Sequence, residues 1–297
     1  MEWTTGSVSA VRERLGRSLF ERVAGPSGAE NRARIHGTPG PRWFAADRPV
    51  RTVHGDASMF VGGLSALLLQ SLHPLAMAAV AAHSGYRSDP WGRLQRTSTF
   101  LAMTTYGAAD DAQAAVDHVR SVHERVKGRT AEGAAYHAAD PHLLAWVHVA
   151  EVDSFLRAHR LFGERPLTPA GYDGYVADTA RIATALGVPD PPRDRAELAQ
   201  RIDAYRHELR ATPQARDAAR FLLLRPPLPW AARPPYAVLA ANAIALLPAW
   251  ARGPLGLPCL PALERTGVRW AGHGLTRTIR WAMARRPAET AAARDDG

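Results

Sequence analysis

The sequence predicts an all-α protein built as a single helical domain. Three observations carry that expectation. Apolar residues recur at helical spacing from Ala57 onward, proline and glycine fall at the ends of those segments, and no run alternates with period two for long enough to make a strand. The 297 residues, 46% of them hydrophobic and 22% charged, suffice for one large core. No internal repeat divides them.

Residues 1–50 read as an irregular lead-in, because Gly25, Pro26, Gly28, Gly37, Pro39, Gly40 and Pro41 punctuate them, with room for a short amphipathic helix near Val11 to Val23. The helical domain spans 51–285. Two apolar segments meet at Leu72-His73-Pro74, where proline divides them. Ser88-Asp89-Pro90 is an N-cap followed by proline in the first turn, opening a helix that runs through Tyr106 to Gly107. A third helix starts behind the acidic pair Asp110 and Asp111 and runs to Lys127, with Gly128 as its stop. Asp140-Pro141 opens the next, carried by Leu144, Val147, Val152 and Phe155 to about Phe162. Thr168-Pro169 opens a helix to about Leu186, and Asp194 another to about Arg210. A short helix and a proline-rich turn fill 211–235. Segments near Tyr236 to Leu247 and Gly272 to Arg285 close the domain, and 286–297 read as a disordered tail.

The formal charge of +9 is almost all arginine, with Lys127 the single lysine, which fits a GC-rich genome better than a polyanion-binding surface. The basic residues form scattered pairs such as Arg12 and Arg14 or Arg157 and Arg160, so no specific nucleic-acid partner is expected. One cysteine, Cys259, excludes an intrachain disulfide framework and any multi-cysteine metal site. Met1 to Leu15 carry no apolar signal core, which points to a cytoplasmic chain. The stretch Met59 to Ala82 is interrupted by Gln70, Ser71, His73 and Pro74, and Tyr236 to Pro248 is shorter than the roughly 20 residues that cross a bilayer, so no transmembrane segment is expected.

Several chemistries are excluded by spacing. The single lysine follows Val126 rather than glycine, which removes a Walker A loop, and Ser65 lacks the second glycine of a nucleophile elbow. His123-Glu124 and His207-Glu208 have Lys127 and Ala211 where a zincin needs histidine. Only the reversed order His148-x-x-Glu151 resembles a di-iron helix motif. The 12 histidines are dispersed, and spacing alone brings no two of them together.

What remains are polar residues on apolar helix faces. Val116, Val119, His123 and Val126 share one stripe, which turns His123 inward either as a carbonyl-bonded core histidine or as a ligand to haem iron. Arg93 and Thr97, four apart, continue into Phe100, Leu101 and Thr104; that guanidinium either reaches solvent along its stem or holds an anion such as a haem propionate. His148, near Leu144, Glu151, Val152 and Phe155, is the second candidate ligand. His73 and His83 flank Met77 and Val80 and can also reach a pocket.

In order and spacing, Val53-His54-Gly55-Asp56, Leu67 to Pro74, Asp89 to Thr97, His123 to Gly128 and Trp146 to Phe155 resemble the family of bacterial rubber oxygenase (latex clearing protein) and the fungal oxygenase MpaB. The resemblance covers about Arg51 to Arg252. It implies a globin-like helical core holding haem b, with His123 as the axial ligand to the iron and Arg93 and Thr97 in the haem pocket. It implies oxidative cleavage of a carbon–carbon double bond in an isoprenoid or other small apolar substrate, with dioxygen as co-substrate. The family's distal lysine corresponds to Arg96 here, which stays protonated. Its carboxylate base has no match, since no acid lies between Asp56 and Asp89; His73 or His83 stands in that region instead. A haem sensor or carrier without turnover, and a basic helical protein of membrane surfaces or nucleic acid, are the two alternative readings.

Overall fold

The computed structural model describes residues 3–284 and is all-α apart from one two-stranded ribbon. Helix α1 (Trp3–Ala24) and α2 (Gly28–Gly37) are followed by α3 (Pro49–His54), α4 (Ser58–Gln70), α5 (Pro74–His83), α6 (Pro90–Tyr106) and α7 (Ala109–Arg125). Strands β1 (Lys127–Arg129) and β2 (Ala135–His137) separate these from α8 (Pro141–Phe162), α9 (Pro169–Leu186), α10 (Arg195–Tyr205) and α11 (Pro213–Leu224). Helices α12 (Arg233–Leu246), α13 (Ala249–Arg252), α14 (Pro261–Leu263) and α15 (Arg269–Met283) complete the chain, with a π turn at Glu264–Val268 leading into α15.

The expected helix starts are those the capping chemistry selects. Asp89 accepts from the Gly92 N–H at 2.9 Å, Asp140 from His142, Thr168 from Gly171 and Asp194 from Glu197, and proline fills the first turn in three of the four. Each cap satisfies a backbone donor that the helix itself leaves unpaired.

Three expectations need correcting. Residues 1–50 are largely helical rather than irregular: their glycines and prolines stand between helices, Gly25 at φ +75° ending α1 and Pro39 to Pro41 following α2. Arg42 then donates to the carbonyls of Ile35, Thr38 and Tyr106, satisfying the ends of α2 and α6 together. The third predicted helix stops at Arg125, because Val126 turns extended and the chain enters the β1–β2 ribbon, paired Lys127 to His137, Gly128 to Tyr136 and Arg129 to Ala135. Strands of three residues are too short for alternation to show. The helix after Asp194 ends at Tyr205, short of Arg210, in a turn that becomes important below. The expected tail, 286–297, lies outside the described residues.

The core is organised around α4 and α8, which pack along each other. Gly62 permits the close approach: a Cβ there would lie 2.8 Å from the Phe155 ring and 3.1 Å from the Ala158 methyl. Trp146, Val149 and Ala150 of α8 and Leu68 and Leu69 of α4 are fully buried, and α9 closes the same core with Tyr175 and Val176. Helix α12 covers another side of α4, while α6 packs against α7 and α1. No single described helix is long and apolar enough to cross a membrane; α4 and α5 together are apolar enough but bend by 108° at Ser71 to His73.

One ion pair ties the C-terminal helix to this core. Arg280 of α15 donates two hydrogen bonds of 2.9 Å to Asp56, in the turn between α3 and α4, and a third to the Phe162 carbonyl. Burial works to raise the Asp56 pKa, but Arg280 and the Ser58 and Glu164 N–H groups overcome it and hold it at about 2. The pair's contribution is therefore complete above the ordinary carboxylate range and is lost as pH falls toward 2. Replacing Arg280 by methionine strands the buried carboxylate and is expected to cost about 3–5 kcal/mol at neutral pH. Urea unfolding checks this; a loss under about 1 kcal/mol would reduce the pair to the level of an exposed salt bridge.

Candidate functional site

Helix α8 brings its polar residues inward at one place. His148 and Glu151 are three apart and share a face. Burial pushes the His148 pKa down to about 4 and the Glu151 pKa up to about 7. Burial, and then the Glu151 charge, raises the hydroxyl pKa of Tyr175, which is fully buried on α9. His54, at the end of α3, lies with Nε2 3.4 Å from the Tyr175 hydroxyl and Nδ1 2.9 Å from Thr105 Oγ1 on α6, its ring edge-on to Phe155 and Tyr175. Burial lowers the His54 pKa to about 4 as well.

His54, His148 and Glu151 are each strongly desolvated, yet each keeps accessible surface. His148 Nε2 is buried with no hydrogen-bond partner. An orphaned ring nitrogen of that kind costs about 1–3 kcal/mol unless a ligand takes it.

The other expected site residues lie on α6, on α7 and at the two ends of α5. Arg93 is half-buried on α6 and donates to Ser84 Oγ at 3.1 Å; burial and then Arg96 lower its pKa, and no carboxylate pairs with it among the described residues. Thr97, one turn on, is exposed, while Phe100 and Leu101 further along that face pack against the core. Arg96 is exposed and pairs with Asp89 at 3.1 Å. His123 is half-buried in the last turn of α7, its pKa lowered by burial and by neighbouring His137. His83 is engaged by the Tyr136 hydroxyl at 3.2 Å, and His73 joins a different cluster with His142 and Glu208. A surface cleft of about 270 Å³ between α5, the ribbon and α11 includes none of the expected site residues in its lining.

Glu151, His54 and Tyr175 were not foreseen as site residues. The reversed His148-x-x-Glu151 spacing was the available signal for Glu151; His54 and Tyr175 come from α3 and α9, and nothing in linear spacing joins them.

The donors fit a haem. Neutral, desolvated imidazoles on α7 and α8 suit iron ligation, the orphaned His148 nitrogen asks for a partner, and the Arg93 guanidinium has no internal anion. The family that this helical domain matches is one of oxidoreductases. More particularly, residues 51–281 match the family described as ER-bound oxygenase mpaB/B'/Rubber oxygenase, catalytic domain, and the chain belongs to that family. The uncharacterized proteins Mb2261 of Mycobacterium bovis and Rv2237 of Mycobacterium tuberculosis are each 33% identical to it over 109 residues, 36% of this chain and 42% of each relative. The match thus spans less than half the length of these curated relatives. No solved structure matches the chain significantly.

Proposed function

We propose that the chain is a haem-dependent oxygenase that cleaves a carbon–carbon double bond of a small apolar, isoprenoid-like substrate with dioxygen. The observation that carries the haem reading is the buried, unpartnered Nε2 of His148, on the same helix face as Glu151, a carboxyl group with a pKa near 7. His123 would hold the haem iron, with His148 the second candidate imidazole, and Arg93 would pair with a propionate. When bound, the haem iron supplies the activation of dioxygen.

The chain's own residues supply the rest. Phe100, Leu101, Leu144 and Phe155 pack against the core and give an alkene apolar surroundings that exclude water. Glu151 holds or accepts a proton at its carboxylate, since a pKa of about 7 lets both forms exist at working pH. It takes the place of the carboxylate missing between Asp56 and Asp89. The Tyr175 hydroxyl, 3.4 Å from His54 Nε2, supplies a further polar group within reach of the Glu151 charge.

An absorption spectrum of the purified chain tests the cofactor directly. A Soret band at near one haem per chain is the expected result; a colourless chain that stays so after haem addition would sink the reading. Dioxygen consumption with short polyprenyl compounds then separates an oxygenase from a carrier.

A further inference from the structure

A second cluster lies at the elbow between α4 and α5. His73 caps the start of α5, His142 stands in the first turn of α8, and Glu208 sits in the turn after α10. Their ligand atoms all lie within 4.8 Å of one another. His142 Nε2 is 2.9 Å from Glu208 Oε2, and His73 Nε2 is 3.4 Å from the same oxygen. Two ligands at about 2.0–2.2 Å from a tetrahedral zinc ion stand about 3.3–3.5 Å apart, close to this spacing.

The backbone holds the three residues there. The Arg210 N–H donates to the Leu72 carbonyl at 2.9 Å, tying the Glu208 turn to the elbow, and Trp146 Nε1 donates to the Gln70 carbonyl at 3.1 Å, tying α8 to it. Trp146 and Tyr205 form an aromatic wall beside His73, with ring centroids 6.4 and 6.3 Å away.

Two independent details point to a cation. His73 is buried; its Nδ1 has no hydrogen-bond partner, and its Nε2 meets only the Glu208 carboxylate at 3.4 Å. The Tyr205 hydroxyl donates to the His142 carbonyl at 2.8 Å and lies 3.3 Å from His142 Nδ1, so its oxygen accepts an Nδ1 proton. That tautomer leaves the Nε2 lone pair facing a carboxylate oxygen, so either a second ring proton or a metal cation lies between them. The same contact is the outer-sphere bond that orients a metal-bound histidine.

We propose that His73, His142 and Glu208 bind one transition-metal dication, with zinc as the reference ion and the exposed side of His142 leaving a coordination position for water. Two imidazoles and one carboxylate disfavour calcium and magnesium, which take oxygen ligands. The site is independent of the haem. His142 and His148 are six residues apart on α8, about 9 Å along its axis and on different faces.

Zinc titration of the full-length chain followed by calorimetry tests this. The expected result is one equivalent bound, with His142→Ala and Glu208→Gln each weakening zinc by more than about 100-fold, beyond what loss of a supporting contact costs. Both altered side chains lie at or near the surface, and an unchanged haem spectrum and circular dichroism check the fold. His207→Ala, removing an exposed neighbour of Glu208 at 3.7 Å, should bind zinc as the unaltered chain does. Cobalt(II) should give ligand-field bands that disappear in His142→Ala. Unaltered affinity in the His142 and Glu208 variants, or no stoichiometric zinc in the parent, overturns the proposal and leaves a protonated His142–Glu208 pair.

Discussion

Purified from haem-supplied cells, the His123→Ala chain is expected to lack the Soret band of the parent. A supporting residue typically changes cofactor affinity by roughly 10- to 100-fold, so the loss on removing the axial ligand should exceed that range. His123 lies half-buried in the last turn of α7, just before the ribbon, and circular dichroism checks that the alanine variant folds. His148→Ala is the necessary companion, because its buried Nε2 has no partner in the protein. Retention of iron coordination in His148→Ala and loss in His123→Ala supports the assignment; the reverse pattern moves the ligand to α8 and refutes His123. Arginine at 93 offers no such exchange, since it supplies charge to an anion rather than a lone pair to iron.

Glu151→Gln should leave the haem band intact and lower turnover by about 10²- to 10⁴-fold, the range for losing a positioned general acid or base. Acting as a base, the parent should gain activity as pH rises through about 7, where burial places the Glu151 pKa, and the variant should lose that limb. Stability must move the other way. The folded pKa lies above the ordinary value of 4.5, so between those limits the native state binds more protons than the unfolded chain, and raising pH destabilises it. Glutamine removes that cost, for a gain of about 3 kcal/mol at pH 8 that fades below the ordinary carboxylate pKa. Urea unfolding at both ends of the window reads it. Equal activity in parent and variant, or a stability gain independent of pH, would remove Glu151 from the chemistry.

The helices were legible where local chemistry sets them. Asp89, Asp140, Thr168 and Asp194 each announce a helix start, and His73-Pro74 announces the elbow. The N-terminal fifty residues misled because glycine and proline mark helix ends as strongly as they mark irregular chain, and composition does not tell the two apart. Desolvation of His123, His148 and Arg93 follows the apolar stripes read from spacing. The exposure of Thr97 and the surface pairing of Arg96 do not, because neighbouring helices decide how far a face is covered. His142 and Glu208, 66 residues apart in the chain, meet only through the turn after α10, and no periodicity encodes such a meeting.

Helix α8 carries His142, His148 and Glu151 on one rigid rod and ends at the Phe162 carbonyl that Arg280 holds. Such a rod tolerates changes of residue far better than changes of length. One residue inserted between 143 and 147 would rotate everything downstream by about 100° and slide it by about 1.5 Å, so the two clusters could not both survive it. Among descendants of this sequence, insertions and deletions should therefore collect in the loops on either side of α8, while the helix itself keeps a constant count from Pro141 to Phe162.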